Sequence, residues 1–197
     1  TGQFAGKALD EGARWCNTLC IASGKDTGFA KIPDYHAEDL PQDAKYLHIT
    51  VNNTIFGTMW DALPETGSVP LVGDLSSIAL GREFDMSKFG LAYMGAQKNM
   101  GIAGLTVVVI KKSLVSGELD SLVPSMLRYE LMAKNASMYN TPPAFAIYMA
   151  GLVFNWVEAQ GGVAEMERRN REKADLLYSV LDESKLFTPR ADKASRS

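Results

Sequence analysis

The stretch FGLAYMGAQKNMGIAGLTVVVI, residues 89–110, limits the fold more than any other part of this chain. It holds two apolar, β-prone runs, one ending near Gly95 and the next starting near Gly104. About nine residues lie between them, whereas a parallel pair needs a crossover of about a dozen or more, usually with a helix. The run LTVVVI is therefore predicted to lie antiparallel to its predecessor. Its three consecutive valines make it the strongest strand candidate in the sequence.

The rest of the chain alternates strand and helix patterns. Apolar and small positions recur at helical spacing from Ala5 to about Cys16. TLCIAS is predicted as a short buried strand, AKYLHITVN as a second, with NNTIFGT as a turn after it, and PLVGDLSS as a third. PPAFAIYMAGLVFNWVEAQGG opens on a proline pair and stops at glycines, which predicts a buried helix. VAEMERRNREKADLLYSVLDES predicts a second, more exposed helix. This alternation predicts an α/β layer fold whose sheet is mostly parallel with one antiparallel strand.

Composition narrows the function classes. The chain is 46% hydrophobic and 22% charged, enough for a sizeable core in one domain. A net charge of -3 argues against a nucleic-acid groove and against a polybasic membrane patch. No apolar run approaches the ~20 residues that span a bilayer. Cys16 and Cys20 in CNTLC lack further ligands at zinc spacing, so no metal site is expected; they read as packing or helix-end cysteines. Few cysteines and no recognisable export signal fit a cytoplasmic setting. The chain has no initiator methionine and both ends look cut, so residues 1–197 are read as part of a longer protein.

Ligands of open α/β sheets bind beyond the carboxyl ends of the strands. Asp74 closes PLVGD and Lys98 follows GLAYMGA, so both fall at such ends. A salt bridge or a solvated pair is the plain reading of such an arrangement. The other is a pyridoxal 5'-phosphate site, which needs a lysine amine for the aldehyde and an acid beside the ring nitrogen. GAQKNMGIAG is neither a Walker A loop nor a GxGxxG fingerprint. Ser76 and Ser77 read as caps of a following helix more readily than as phosphate contacts. Asn140-Thr141, ahead of Pro142-Pro143, fits a helix cap and an anion site alike. His48 reads as a packed histidine, Met59 and Trp60 as core or interface, and the aromatic stripe from Phe145 to Trp156 as helix packing. EMERRNREK reads as a solvated helix face.

Taken together, TGQFAGKA, HITVNNTIFGT, VGDLSSIAL, FGLAYMGAQKNMGIAGLTVVVI and YNTPPAFAIYMAGLVFNWV resemble the phosphoserine aminotransferase family of the class V, fold-type I pyridoxal-phosphate enzymes. AQKN followed by GIAG, with NTPP about forty residues later, carries the likeness; alanine–glyoxylate aminotransferases and cysteine desulfurases, the alternative class V types, usually carry other residues around the lysine. The resemblance implies the three-layer α/β large domain of these enzymes, with an upstream segment and a small C-terminal domain outside residues 1–197. It implies Lys98 as the cofactor-bearing lysine and general base, and Asp74 as the partner of the ring nitrogen. Thr54 would sit near the ring hydroxyl and Gln97 on the phosphate. Asn140 and Thr141 would reach the phosphate in the neighbouring subunit of a homodimer. Phe4 stands where the family usually has a tryptophan or another aromatic stacked on the ring. The implied reaction moves an amino group between glutamate and 3-phosphohydroxypyruvate, giving phosphoserine and 2-oxoglutarate, in serine synthesis.

Overall fold

The computed structural model describes residues 1–115 and 123–197. In chain order the main elements are helix α1 (Gln3–Gly12), strands β1 (Leu47–Thr50), β2 (Asn52–Asn53), β3 (Thr58–Met59), β4 (Leu71–Asp74), β5 (Leu91–Gly95) and β6 (Thr106–Ile110), then helices α2 (Tyr129–Lys134), α3 (Ala144–Ala159) and α4 (Gly162–Glu183). Four strands form one sheet in the order β1-β4-β5-β6. β1 and β4 are parallel, as are β4 and β5, while β5 and β6 are antiparallel. The α/β class, the mostly parallel sheet and the single reversal forced by the short 96–105 connection are all as expected from the sequence.

One face of the sheet carries the core. Ile49, Val51, Leu71, Leu75, Phe89, Ala92, Met94 and Met100 are buried in a single cluster. Each large side chain withdrawn from water in this way contributes about 1.5–3 kcal/mol. Gly73 makes the close approach of Phe89 possible, because a Cβ there would lie 2.5 Å from the ring Cε1. Partners at one level of a parallel ladder point to the same face. The opposite face therefore presents His48, Thr50, Asp74 and Tyr93, with Thr50, Asp74 and Tyr93 on one row across three strands.

Several local expectations are corrected. Residues 18–23, expected as a strand, are not in a strand, and Leu19 is exposed. An apolar run without a neighbouring edge to pair with gains nothing by extending. Cys16 and Cys20 are both exposed rather than packed, although Cys16 does sit just past the end of α1, its thiol against the Gly12 carbonyl at 3.4 Å. The helix itself runs from Gln3 to Gly12, ending earlier than the pattern predicted. NNTIFGT is more than a turn, since β2 and β3 form a small antiparallel ribbon around it.

Helix α3 is the largest departure. It was expected to be buried, yet only Ala146, Ala150 and Val157 are, while Phe145 and Tyr148 are 67% and 61% exposed. The inward stripe has small residues because another backbone comes close: a Cβ on Gly101 would sit 3.3 Å from the Ala150 nitrogen. The aromatic residues are left on the outer face. The charged face of α4 is also less solvated than expected. Glu167 accepts the Glu83 amide at 3.0 Å and Asn170 donates to the Gly81 carbonyl at 3.1 Å, which ties the helix to the loop after β4.

Candidate functional site

The carboxyl ends of β1, β4 and β5 fall side by side, and a cavity of about 180 Å³ opens just beyond them. Each strand end contributes polar groups to its wall. Thr50 and Asn52 come from β1 and the residues after it, Asp74, Ser76 and Ser77 from the end of β4, and Gln97 and Lys98 from the loop after β5. Phe4, on the first turn of α1, and Thr54, in the β2–β3 turn, complete the lining.

The lysine and the aromatic ring meet. Lys98 Nζ lies 5.3 Å from the centroid of the Phe4 ring, within the range of a cation–π contact. Phe4 is 43% exposed, so it is a wall of the cavity and not the core phenylalanine that its position at a helix start also allowed. Gln97 folds back over its own strand, where its side-chain oxygen would lie 2.5 Å from a Cβ at Gly95, so a larger residue there would push the Gln97 side chain aside. Gly2 plays the same part at the start of α1. Its φ of 104° lies in the left-handed region, and a Cβ would strike the Asn53 side chain at 2.3 Å.

Among the described residues Asp74 is in no ion pair, so the reading of Asp74 and Lys98 as a salt bridge does not hold. Its Oδ1 accepts the Ser76 amide at 2.9 Å. Behind it, His48 Nε2 lies 3.0 Å from the Tyr93 hydroxyl, with the two rings stacked at 6.0 Å. Burial holds His48 below the usual imidazole range, against the opposing pull of the Asp74 charge. Burial first, then the charge and hydrogen bonding of Asp74, hold the Tyr93 hydroxyl well above the usual phenol range. His48 is thus a packed histidine, as expected, but a polar one with a specific partner.

Ser76 and Ser77 do not cap a helix. After β4 the chain makes a single turn, with the Ala79 amide on the Leu75 carbonyl at 2.9 Å, and Leu80 at φ 60° ends it. The serines brace the site instead. Ser76 Oγ accepts the Gly95 amide at 3.0 Å, tying the end of β5 to β4. Ser77 Oγ donates to the Asn52 carbonyl at 3.1 Å and accepts the Asn52 side-chain amide at 2.9 Å. Asn140 and Thr141 are exposed and do not line the cavity. Neither caps α3, which starts after Pro143 with no side-chain cap, and the Asn140 amide rests on the Met126 sulfur at 3.4 Å.

Thr50 and Asn52 were missed from the sequence. Thr50 Oγ1 and Asn52 Oδ1 are buried at the cavity wall without a hydrogen-bond partner. Leaving such atoms unpaired costs about 1–3 kcal/mol each, so the wall suits a polar guest that would engage them. A flat heterocycle with a hydroxyl, a ring nitrogen and a phosphate fits this donor set: Phe4 for its face, Asp74 for a protonated nitrogen, Thr50, Asn52 and Thr54 for the hydroxyl, and the Gln97 amide for an anion. The signal that could have found Thr50 was its level with Asp74 in the parallel ladder.

Comparisons with known proteins agree with this picture. The family profile "Aminotransferase class-V" matches residues 17–197. A curated phosphoserine aminotransferase of Bacillus cereus is 48% identical over 197 residues, covering 100% of this chain and 54% of its own. The structure of the phosphoserine aminotransferase from Bacillus circulans subsp. alkalophilus superposes with a TM-score of 0.94 at 44% identity, over 100% of this chain and 55% of that one. A PLP-bound phosphoserine aminotransferase from Trichomonas vaginalis gives 0.93 at 34% identity, with the same coverage. The chain spans about half the length of the curated relatives it matches.

Proposed function

Because the chain belongs to the class V aminotransferase family, we propose that it is the cofactor-binding large domain of a pyridoxal-phosphate-dependent phosphoserine aminotransferase. The reaction is the reversible exchange of an amino group between glutamate and 3-phosphohydroxypyruvate, giving phosphoserine and 2-oxoglutarate. The observation that carries this reading is the convergence of Lys98, Asp74 and Phe4 on one cavity at the carboxyl ends of three parallel strands. The relatives at 46–50% identity named phosphoserine aminotransferase support this substrate pair over those of the alanine–glyoxylate and desulfurase types.

When bound, pyridoxal phosphate draws electrons from the substrate's α-carbon and stores the amino group between the two halves of the reaction. The chain's own residues do the rest. Lys98 Nζ would hold the aldehyde and, once freed by the substrate amine, would carry the proton from the substrate's α-carbon to the cofactor's former aldehyde carbon. Asp74 holds a proton at the ring nitrogen. Phe4 covers one ring face and keeps water from it. Thr54, with Thr50 and Asn52, orients the ring hydroxyl, and Gln97 donates to the phosphate.

Asn140 and Thr141 are exposed and outside this chain's own cavity. We assign them to the phosphate site of the partner subunit in a homodimer. The exposed aromatic face of α3, directly after them, supports a subunit contact there. Among the described residues no helix is long and apolar enough to cross a membrane, which is compatible with a cytoplasmic enzyme acting on small phosphorylated and dicarboxylic substrates.

The test is direct. The protein mixed with pyridoxal phosphate is expected to gain a visible absorption band, and Lys98→Ala to lose it. Turnover is then followed with phosphoserine and 2-oxoglutarate in a coupled assay. A colourless wild type, or activity confined to alanine with glyoxylate or to cysteine, refutes the proposal.

A further inference from the structure

Asp74 sits on a row of three residues that no reading of the sequence connected. Thr50, Asp74 and Tyr93 are register partners across β1, β4 and β5, and their side chains share one face of the sheet. His48, two residues before Thr50 on β1, is on that same face and reaches across β4 to put Nε2 3.0 Å from the Tyr93 hydroxyl. The His48 and Tyr93 rings are stacked at 25° and 6.0 Å, which fixes the hydroxyl in place. We propose that Tyr93, braced by His48, is the positioning residue that sets the Asp74 carboxylate toward the ring nitrogen of the cofactor. This inference rests on the pyridoxal-phosphate reading of the site.

The hydrogen-bond accounting supports one arrangement. Asp74 accepts the Ser76 amide at 2.9 Å through Oδ1. A carboxylate held by a single backbone donor can still turn about its side-chain bonds. A second donor from a different strand removes that freedom. Tyr93 is level with Asp74 on the neighbouring strand β5, and its hydroxyl has a single proton to give. His48 is kept neutral by burial, so its Nε2–H can donate to the Tyr93 oxygen and leave the phenol proton for Asp74. The order His48 to Tyr93 to Asp74 is then a chain of donors ending on the one carboxylate that must remain an acceptor for a protonated ring nitrogen. A phenol donating to Asp74 fixes the direction of the carboxylate, and a carboxylate aimed at the ring nitrogen keeps the proton there.

The experiment uses the holoprotein reconstituted with pyridoxal phosphate isotopically labelled at the ring nitrogen, with the nitrogen resonance read by NMR. Tyr93→Phe keeps the ring and removes only the donor. The expected result is a resonance displaced toward that of neutral pyridine, with a cofactor dissociation constant raised about tenfold, the effect of one lost hydrogen bond to a charged group. His48→Gln is expected to move the resonance in the same direction by less, and it carries the test alone if Tyr93→Phe does not fold. A merely structural role would lower the melting temperature and leave the ring-nitrogen resonance of the bound cofactor where it was. That outcome, in either folded variant, overturns the inference while leaving the proposed function standing. A wild-type protein that takes up no pyridoxal phosphate overturns both.

Discussion

Gly73→Ala is expected to destabilise the protein although it adds a single methyl group to a strand. Gly73 lies inside β4, level with Ile49 on one side and Ala92 on the other. The new Cβ would meet Phe89 at 2.5 and 2.9 Å and Leu75 at 2.9 Å, whereas ordinary contact begins at 3.4 Å. Phe89 and Leu75 are each 2% exposed, so neither has open space to enter. Overpacking of this kind costs about 1–3 kcal/mol, and three contacts against buried side chains argue for the upper end, roughly 3 kcal/mol. The more restricted unfolded chain returns about 0.4–1 kcal/mol. The net loss is about 2 kcal/mol, and with a urea slope of about 1–3 kcal/mol per molar the midpoint falls by roughly 1 M. Gly6→Ala is the matched control. It lies in the interior of α1 with nothing within 4 Å of a built Cβ, so it should raise stability by about 0.5–1 kcal/mol. Urea unfolding of the two variants, followed by fluorescence, decides the matter. If Gly73→Ala unfolds at the wild-type midpoint, or Gly6→Ala falls with it, the contact argument is wrong.

Other perturbations probe the same sheet edge. Ser76→Ala removes the acceptor of the Gly95 amide and should cost about 1–3 kcal/mol, with faster hydrogen exchange at Gly95 as the local readout. Phe4→Ala should weaken cofactor binding about tenfold through loss of the ring platform, and Phe4→Trp should strengthen it; spectroscopic titration with pyridoxal phosphate measures both. His48 titrates below the usual imidazole value of 6.5 in the folded protein, so its contribution to stability is fully present above that value and is lost as pH falls through it toward the folded value. The wild-type urea midpoint should therefore drop over that interval more steeply than the midpoint of His48→Gln, and parallel curves would count against it.

Much of this architecture is legible in the residues themselves. The apolar runs at 47–50, 71–74, 91–95 and 106–110 announce strands, and the short 96–105 connection fixes the one reversal. Lys98, Asp74, Phe4, Thr54 and Gln97 could be named in advance, and all five line one cavity. What escaped depends on register. Thr50 is an ordinary strand threonine until its level with Asp74 is known, and Tyr93 and His48 are 45 residues apart until β4 is placed between them. The serines after Asp74 misled because serine is a favoured residue at a helix start, while here Leu80 in the left-handed region stops the turn after one round. Helix α3 misled for a different reason. Hydrophobicity records that a face will be covered, not which chain segment covers it.

The reversal at β6 also explains how a flexible amine is delivered with accuracy. A lysine on a long crossover would inherit the freedom of that connection. Here the loop is closed at its base by the Ala96 amide on the Leu105 carbonyl at 3.0 Å. Ala96 and Met100 are buried at 0% and 3%, one turn apart, with the Met100 amide on the Ala96 carbonyl at 3.2 Å. Asn99 donates to the Ala79 carbonyl at 3.2 Å and so ties the loop to the turn after Asp74. Two anchors in the core and one to the neighbouring turn leave Gln97 and Lys98 as the pair that projects outward, and the cavity is what they face. The antiparallel strand therefore does more than complete the sheet. By making the connection too short for a helix, it turns the end of β5 into a pinned turn, and a pinned turn can hold the root of a lysine arm at a fixed height above the strand that carries Asp74.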